Sequence, residues 1–212
     1  MKYWRDWFPD LMPHVQGCPL VVAEHELRRA AQAFFRATRA WKEVLAPIAV
    51  SGTQDEVDMT PVDTALDLVR VESVTYDGKQ LGAETASNLD ASHQDDWTLH
   101  TGTPSHYIQM TPNILRLYPV PVASASSGLV ARVSVTPSGN STGLPDDLAI
   151  HFWDAIHIGA KSRLMLYPKA TWTNPDSAVA YGAMFGSMVD SATVAAAKSY
   201  GAARIPARPK WC

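Results

Sequence analysis

The chain has 212 residues, of which 46% are hydrophobic and 18% charged, so it can build one large domain with appendages. No apolar run reaches the roughly 18 residues that a membrane-spanning helix needs, and the first residues lack the apolar core of a signal peptide. The net charge of −3, from 18 basic and 21 acidic residues, lacks the basic excess of a dedicated nucleic-acid binder. We therefore expect folding in the cytoplasm and no passage through a membrane.

The first 20 residues combine aromatic side chains with prolines. This pattern predicts an extended N-terminal arm, residues 1–20, with a short helical turn. Large aromatic side chains bury 150–250 Å² each, so they need a surface to pack against. The aromatic residues of the arm are Trp4, Trp7 and Phe8.

A helical period follows from about residue 22 to residue 45. Apolar residues recur there at three- and four-residue steps, and Pro47 would end the helix. Burial of one large side chain contributes roughly 1.5–3 kcal/mol, so this helix can dock firmly. Its predicted apolar stripe consists of Leu27, Ala30, Ala31, Phe34, Thr38, Trp41 and Leu45.

The middle of the chain, residues 47–143, has a β pattern. Asp77-Gly78 predicts a tight hairpin turn. Residues 83–105 are polar and contain Trp97 as their only large apolar side chain, which predicts a long loop of functional or interface character. The predicted strands lie at 48–50, 56–59, 68–76, 79–81, 107–110, 114–118 and 129–135.

Two more helices are predicted near the C-terminus. Leu144-Pro145 opens the first, which should run to about Leu166, and Asn174-Pro175 is an N-cap followed by proline at the first helical position. Gly201 is a natural stop. The second helix carries a narrow stripe of small or slender residues, which permits close contact with another helix: Ala178, Tyr181, Phe185, Met188, Ala192 and Ala195.

The predicted fold class is α+β, with a helical bundle and an inserted antiparallel β-rich subdomain. The N-terminal helix and the two C-terminal helices, residues 21–46 and 144–200, would form the helical body. Residues 47–143 would form the insert. Extended arms, residues 1–20 and 201–212, would flank this core.

No catalytic constellation emerges from the sequence. It contains no G-x-S-x-G, H-E-x-x-H, Walker A or dinucleotide-binding motif, so we predict no catalytic residue, no cofactor and no metal. Two alternatives stay open. His93, His100 and His106, near Asp95 and Asp96, could hold a metal, although their spacing matches no common ligand pattern. The carboxylates of Asp58, Asp63 and Asp67 could act as acids or bases but fit solvated turns better.

The segment from Gly201 to Cys212 is basic and carries no acid, and the rest of the chain holds 15 basic against 21 acidic residues. It can be a disordered end or a docking arm. Prolines keep a peptide extended, and Trp is a frequent interface anchor, which favours the docking arm. The residues predicted to carry the docking are Arg204, Ile205, Arg208, Lys210 and Trp211.

Motifs in order along nearly the whole chain resemble those of the head–tail connector, or adaptor, proteins of tailed bacteriophages, similar to tail tubular protein A. No single motif is specific, and the resemblance rests on their order and spacing. They are Trp4-x-x-Trp7, Gly17-Cys18-Pro19, Leu27-Arg28-Arg29-Ala30-Ala31, Thr38-x-x-Trp41, Asp77-Gly78, Trp97, Gly102-Thr103-Pro104-x-x-Tyr107, Leu117-x-Pro119-x-Pro121, Leu144-Pro145 and Trp172-x-Asn174-Pro175.

The resemblance implies a structural virion protein without catalytic residues. It implies a ring, usually of twelve identical subunits, between the portal and a tail nozzle or tail tube protein, through which double-stranded DNA passes at ejection. The location would be the neck of the virion, and the host cytoplasm during assembly. In such adaptors a terminal arm often reaches the portal, which corresponds here to residues 201–212.

Ring closure requires two complementary surfaces on each subunit. The candidates are the aromatic arm and the stripe on the last helix, and the predicted subunit-interface residues are Trp4, Trp7, Phe8, Tyr181, Phe185 and Met188. Two other functions stay open: another tail-completion or terminator protein, or a metal-dependent hydrolase or small-ligand-binding domain that uses the histidine-rich loop.

Overall fold

A computed structural model describes residues 1–93, 96–125 and 128–198. The fold is mixed α+β, with mostly antiparallel sheets. Within the described residues the α-helices are α1 (Phe8–Leu11), α2 (Leu20–Thr38), α3 (Ala86–His93), α4 (Asp146–Leu164) and α5 (Pro175–Ala197). Short 3₁₀ turns occupy Trp4–Trp7, Met12–His14 and Asp96–Leu99.

Strands β4 (Leu66–Tyr76) and β11 (Leu129–Pro137) are long, and the other strands of the described residues are short. The short strands are β1 (Lys2–Tyr3), β2 (Lys42–Val44), β3 (Glu56–Asp58), β5 (Lys79–Gln80), β6 (Gly82–Ala83), β7 (Thr101–Gly102), β8 (His106–Gln109), β9 (Ile114–Tyr118), β10 (Val120–Pro121) and β12 (Gly143–Leu144). None of the helices in the described part of the chain is long and apolar enough to cross a lipid bilayer.

The chain divides into two compact units. One, the helical unit, contains Met1–Trp41 and the chain from Thr136 onward, and the other, the β-rich unit, contains Lys42–Val135. The helical unit is therefore built from both ends of the chain. The predicted division, with junctions after residues 46 and 143, stays a prediction.

In the helical unit, α2, α4 and α5 contact one another. Five aromatic rings meet in this core, and Phe34 and Phe35 on α2 have no exposed surface. The centroid of Phe34 lies 4.8 Å from Phe152 on α4 and 6.4 Å from Phe185 on α5, and Trp41 packs edge-on against Phe35 at 5.5 Å. Aromatic pairs at such distances add to the stabilisation from burial. These contacts fix the three helices side by side; the bundle geometry itself stays a prediction.

Helix α2 ends seven residues earlier than the predicted end at residue 45. The hydroxyl of Thr38 donates to the carbonyl of Phe34 at 2.9 Å, and Arg39 adopts a left-handed conformation with φ of 52° that closes the helix. The residues after it then form β2, which pairs with β11. The helical period continued through Trp41 because this side chain still packs on the helix after the backbone has left it.

The β-rich unit contains two four-stranded sheets, in the orders β2-β11-β4-β5 and β3-β9-β8-β6. The predicted turn at Asp77-Gly78 joins β4 to β5, and both residues have positive φ, 49° and 80°, as a type I′ hairpin turn requires. The predicted pairing of 107–110 with 114–118 is present as the antiparallel pair β8–β9. In place of the predicted strand at 48–50 there is only one isolated bridge, from Ile48 to Leu129.

The stretch 83–105 is not the long loop that its polarity predicted. It contains the last residue of β6, α3, a 3₁₀ turn and the short strand β7. Leu89 and Trp97 are buried with Ile108 and Tyr118 in a small cluster. Helix α3 has a single buried apolar residue, so its sequence shows no hydrophobic period that would predict a helix.

Candidate functional site

The aromatic side chains of the N-terminal arm pack within the helical unit. Trp4 and Trp7 are at most 1% exposed. Trp4 donates its indole N–H to the carbonyl of Ser141 at 2.8 Å, and the Trp7 ring stacks on Trp153 of α4 at 4.3 Å. Phe8 is half-buried. The role of these three residues in subunit contacts stays a prediction. Because Trp4 and Trp7 are buried in the subunit, they could stabilise an interface from below but could not contact a neighbouring subunit directly.

A polar cluster joins the arm to α4. The Asp10 carboxylate accepts a hydrogen bond from the indole N–H of Trp153 at 3.0 Å, and the Asp10 carbonyl lies 2.9 Å from Nε2 of His157. One turn further along α4, Lys161 is only 5% exposed, and its ammonium lies 5.5 Å from the ring centre of Tyr181. Burial lowers the pKa of Lys161, and the nearby carboxylate of Asp10 opposes that effect. The cluster ties arm, α4 and α5 into one unit.

We expect replacement of Trp7 by alanine to destabilise the isolated subunit by about 3–5 kcal/mol, because a fully buried indole that stacks on Trp153 is removed. Urea unfolding of the purified subunit measures the loss. Trp7→Phe should recover part of it. A loss below about 1 kcal/mol would show that this side chain is not held in the subunit core.

Acidification is expected to weaken the helical unit through His157. Burial is the largest influence on this imidazole and lowers its pKa from the usual 6.5. Below 6.5 the unfolded chain therefore binds a proton that the folded chain resists, and stability falls as the pH falls toward the folded-state pKa. Above pH 6.5 His157 is neutral in both the folded and the unfolded chain, so its contribution to the free energy of unfolding is fully present.

Thermal unfolding at about pH 7.5 and about pH 5.5 tests this dependence. His157→Gln should reduce the difference between the two melting temperatures, whereas His25→Gln, at an exposed position on α2, should leave it unchanged. His14 has to be replaced separately, since burial and Lys161 lower its pKa as well. An undiminished difference in the His157→Gln chain would contradict the assignment.

The stripe predicted on the last helix faces the subunit's own core. Tyr181, Phe185 and Met188 are half-buried, and a side chain added at Gly159 of α4 would lie 2.8 Å from the Phe185 ring. Close contact between α4 and α5 thus depends on that glycine. The interface role predicted for these three residues stays a prediction, and their contacts are within the subunit.

The opposite face of α5 is apolar and exposed. Although α5 is 23 residues long, only Ala178 and Ala196 are buried in it. We call the exposed surface the outer face of α5. Its members are small or apolar apart from two acids, and they are Asp176, Val179, Ala180, Ala183, Asp190 and Val194. The exposed fraction is 71% for Val179 and 52% for Val194. A solvated helix face normally carries several charges, so this face is suited to covering by protein.

A groove of about 390 Å³ lies between α4 and α5 beside this face. Phe34, which is fully buried, and Phe152, which is 7% exposed, form part of its lining. Phe152 also interrupts the helical conformation of α4, with φ of −117°. We call this cavity the α4–α5 groove. It is lined by Phe34, His151, Phe152, Asp154, Ala155, Ser187, Met188, Ser191, Ala192 and Ala195.

A buried acid lines a second cavity of the helical unit. Glu26 is 1% exposed, and its carboxylate accepts from Tyr167 at 2.9 Å and pairs with Arg29 at 3.3 Å. Burial is the first cause that raises the pKa of Tyr167, and the hydrogen bond to Glu26 adds to it. Because Glu26 is held by these partners, the arrangement stabilises the α2 surface and presents no nucleophile.

Polar residues of the β-rich unit that were considered for chemistry have local partners. The Asp58 carboxylate accepts from the backbone and the hydroxyl of Thr60, at 2.8 and 2.6 Å, and these bonds lower its pKa. The Asp63 carboxylate accepts from the Ala65 amide at 2.8 Å. Both carboxylates thus close turns.

Two of the histidines predicted as alternative metal ligands lie beside hydroxyl groups. Nδ1 of His100 lies 3.3 Å from the Tyr118 hydroxyl, and Nδ1 of His106 lies 2.9 Å from the Ser105 hydroxyl. Among the side chains that the structure describes, no three of His, Cys, Asp or Glu are placed to hold a metal ion. Asp95 and the side chain of His93 lie outside the described part of the chain.

The β-rich unit offers one apolar surface of its own. A cavity of about 460 Å³ runs along the edge strand β2, where Val44 is 60% exposed, and includes Val62, which is 94% exposed. Edge strands present unpaired backbone groups and are common sites for added strands or partner proteins. No sequence pattern predicted this surface, because its residues come from β2, from the segment after it and from the separate turn at residues 60–66.

The predicted docking arm, with Arg204, Ile205, Arg208, Lys210 and Trp211, lies outside the described residues. Cys212 lies there too, while Cys18 is buried, and burial raises the pKa of its thiol.

Comparison with known proteins gives one family. The sequence model of a family described as SU10 adaptor protein matches residues 20–206, which is most of the chain. A search of curated proteins found no match. The matched range includes α2, the β-rich unit, α4 and α5, and therefore both apolar surfaces of the last helix.

Proposed function

Because this chain belongs to the SU10 adaptor protein family, a family of phage head–tail adaptors, we propose that it forms the ring that joins the portal of a phage capsid to the tail. The observation that carries the proposal is the outer face of α5, a long apolar helix surface that the isolated subunit leaves exposed. The ring is a conduit for genome DNA during ejection. The protein's place is the neck of the virion, and during assembly the host cytoplasm.

Ring closure explains why the outer face of α5 is smooth. A closed ring of identical subunits uses one surface of each subunit against a different surface of the next. Small side chains such as Ala180 and Ala183 let a neighbouring element approach closely. Stable interfaces bury about 800 Å² on each partner, more than one helix face supplies, so the contact extends beyond α5. The family resemblance favours twelve subunits.

Two other surfaces are assigned to different partners. Residues 201–212 form the arm that docks to the portal, and the exposed edge beside Val44 and Val62 serves the tail nozzle or tail tube protein. One weak arm contact from each subunit sums to a strong joint, because binding of the first arms raises the effective concentration of the others.

The charge of the body favours passage of DNA over binding. Each phosphate neutralised by lysine or arginine adds affinity through counterion release. Without residues 201–212 the chain has 15 basic and 21 acidic residues. A ring of such net-acidic subunits therefore has a low affinity for DNA. The family is one of structural adaptors, and we assign the chain no catalytic role.

Negative-stain electron microscopy tests the proposal. The purified protein is imaged alone and after mixing with its portal. Rings stacked on portal rings support the proposal; a subunit that remains free in the mixture contradicts it, and rings that bind only to tail tubes would favour a tail-completion role. The same images count the subunits. A monomer in the absence of portal is compatible with assembly on a portal template.

A further inference from the structure

We infer that the α4–α5 groove holds this chain's own C-terminal segment, residues 204–211, while the subunit is free. The inference goes beyond ring formation, since it concerns the unassembled subunit. It rests on the chemistry of the groove, on the sequence of the segment and on the point at which the described chain stops.

The groove has apolar lining residues that suit an apolar guest, within about 390 Å³. The slender, half-buried side chains of Met188, Ala192 and Ala195 contribute accessible surface, whereas Phe34 and Phe152 are almost completely buried. Cavities of this size and composition accept aromatic and aliphatic groups. An occupant that removes this surface from water gains about 25 cal/mol for each Å² of apolar area buried.

The segment has the matching pattern. From Arg204 to Trp211 its residues alternate between two classes. Side chains of an extended peptide alternate between opposite faces, so one face would carry the apolar residues and the other would carry the bases and one proline. The apolar members are Ile205, Ala207, Pro209 and Trp211, and the basic members are Arg204, Arg208 and Lys210.

The segment is also within reach. The described chain ends at Lys198, three residues after Ala195, which lines the groove. Along α5 the lining runs from Ser187 to Ala195, about 12 Å at 1.5 Å per residue. The eight residues 204–211 span about 26 Å when extended, and the five residues before them include Gly201, the residue type best suited to reversing the chain.

The charge at the groove rim agrees with this occupant. Asp154 of α4 lines the groove and is exposed. The segment carries three bases and no acid. Long basic side chains can lie along an apolar surface while a charged end reaches such a rim carboxylate.

A docked segment would be unavailable to other proteins until something displaces it. If the same segment serves as the portal arm, binding to the portal and docking in the groove compete. The groove occupancy itself is independent of ring formation and can be measured on the free subunit.

Limited trypsin digestion of the full-length free subunit tests the inference. Mass spectrometry follows cleavage after Arg204 and after Lys210, since Arg208 precedes a proline and is a poor trypsin site. Cleavage depends on the population in which the segment is released. We expect Ala195→Phe, which fills the groove, and Asp154→Arg, which reverses the rim charge, to accelerate both cleavages roughly tenfold or more.

Matched variants control for non-specific effects. Ala37→Phe places the same side chain at an exposed position of α2, and Asp147→Arg makes the same charge change elsewhere on α4; neither should alter the rates. Asp154 is exposed, so its replacement keeps the test valid if Ala195→Phe disturbs folding. Equal cleavage rates in the parent and both groove variants would overturn the inference. Protection that disappears on dilution of the subunit would also overturn it, since the segment would then occupy a second copy.

Discussion

Removal of residues 201–212 is expected to abolish co-sedimentation of the subunit with its portal while the subunit keeps its fold. The segment supplies three bases and the anchors Ile205 and Trp211. Buried tryptophans and arginines are frequent hot spots, each costing 2 kcal/mol or more when truncated, and each subunit loses its contact. In a ring the loss of binding free energy adds up over the subunits, because each bound arm raises the effective concentration of the other arms at the portal.

A chain with the same twelve residues in scrambled order is the matched control, since it keeps length, charge and composition. It should fail to co-sediment like the truncated chain, whereas Ala195→Phe, which only fills the groove, should still bind the portal. Undiminished co-sedimentation of the truncated chain would assign portal binding to another surface. Ring formation could then still be correct, and microscopy of the truncated chain would show it.

A charge on the outer face of α5 is expected to block ring closure. Ala183 is exposed in the subunit, so Ala183→Glu should change subunit stability by no more than about 0.5 kcal/mol. In the ring the new carboxylate would be buried against a neighbour without a partner, on the face that already carries Asp190. Uncompensated buried charges cost about 3–5 kcal/mol, a factor of more than 100 in affinity at each contact.

Analytical ultracentrifugation and microscopy with portal present measure the effect. Ala37→Glu, at an exposed position of α2 outside the outer face, should assemble normally. Ala183→Ser should do so too, because it keeps the small size and adds no charge. If Ala183→Glu assembles as well as the parent, the outer face does not lie between subunits.

Local signals allowed good prediction of elements whose cause is local. Asn174-Pro175 specifies the start of α5 through its own chemistry, as the Asn174 side chain accepts from the Ser177 amide at 3.1 Å. Asp77-Gly78 specifies a turn for the same reason. The end of α2 was missed because it depends on Arg39 in a left-handed conformation, which nothing in its residue type predicts. Helix α3 was missed because one buried leucine creates no period.

The candidate surfaces were harder to predict because they depend on distant residues. Trp7 was predicted to pack in a subunit interface. Its partner within the subunit, Trp153, is far along the sequence, so no pattern in the arm reveals the stack. The period of α5 was found, but period alone does not say which of two apolar faces meets the core. That choice follows from the position of Phe34 and Gly159 on the other helices.

The discontinuous make-up of the helical unit orders events during synthesis. The β-rich unit is one uninterrupted stretch, Lys42–Val135, whereas α2 packs against helices that come after it. On the ribosome α2 therefore emerges long before α4 has been synthesised. The phenylalanines of α2 stay exposed to solvent until α4 and α5 are available to cover them. Nascent-chain folding should then begin in the middle of the protein and finish by bringing its two ends together.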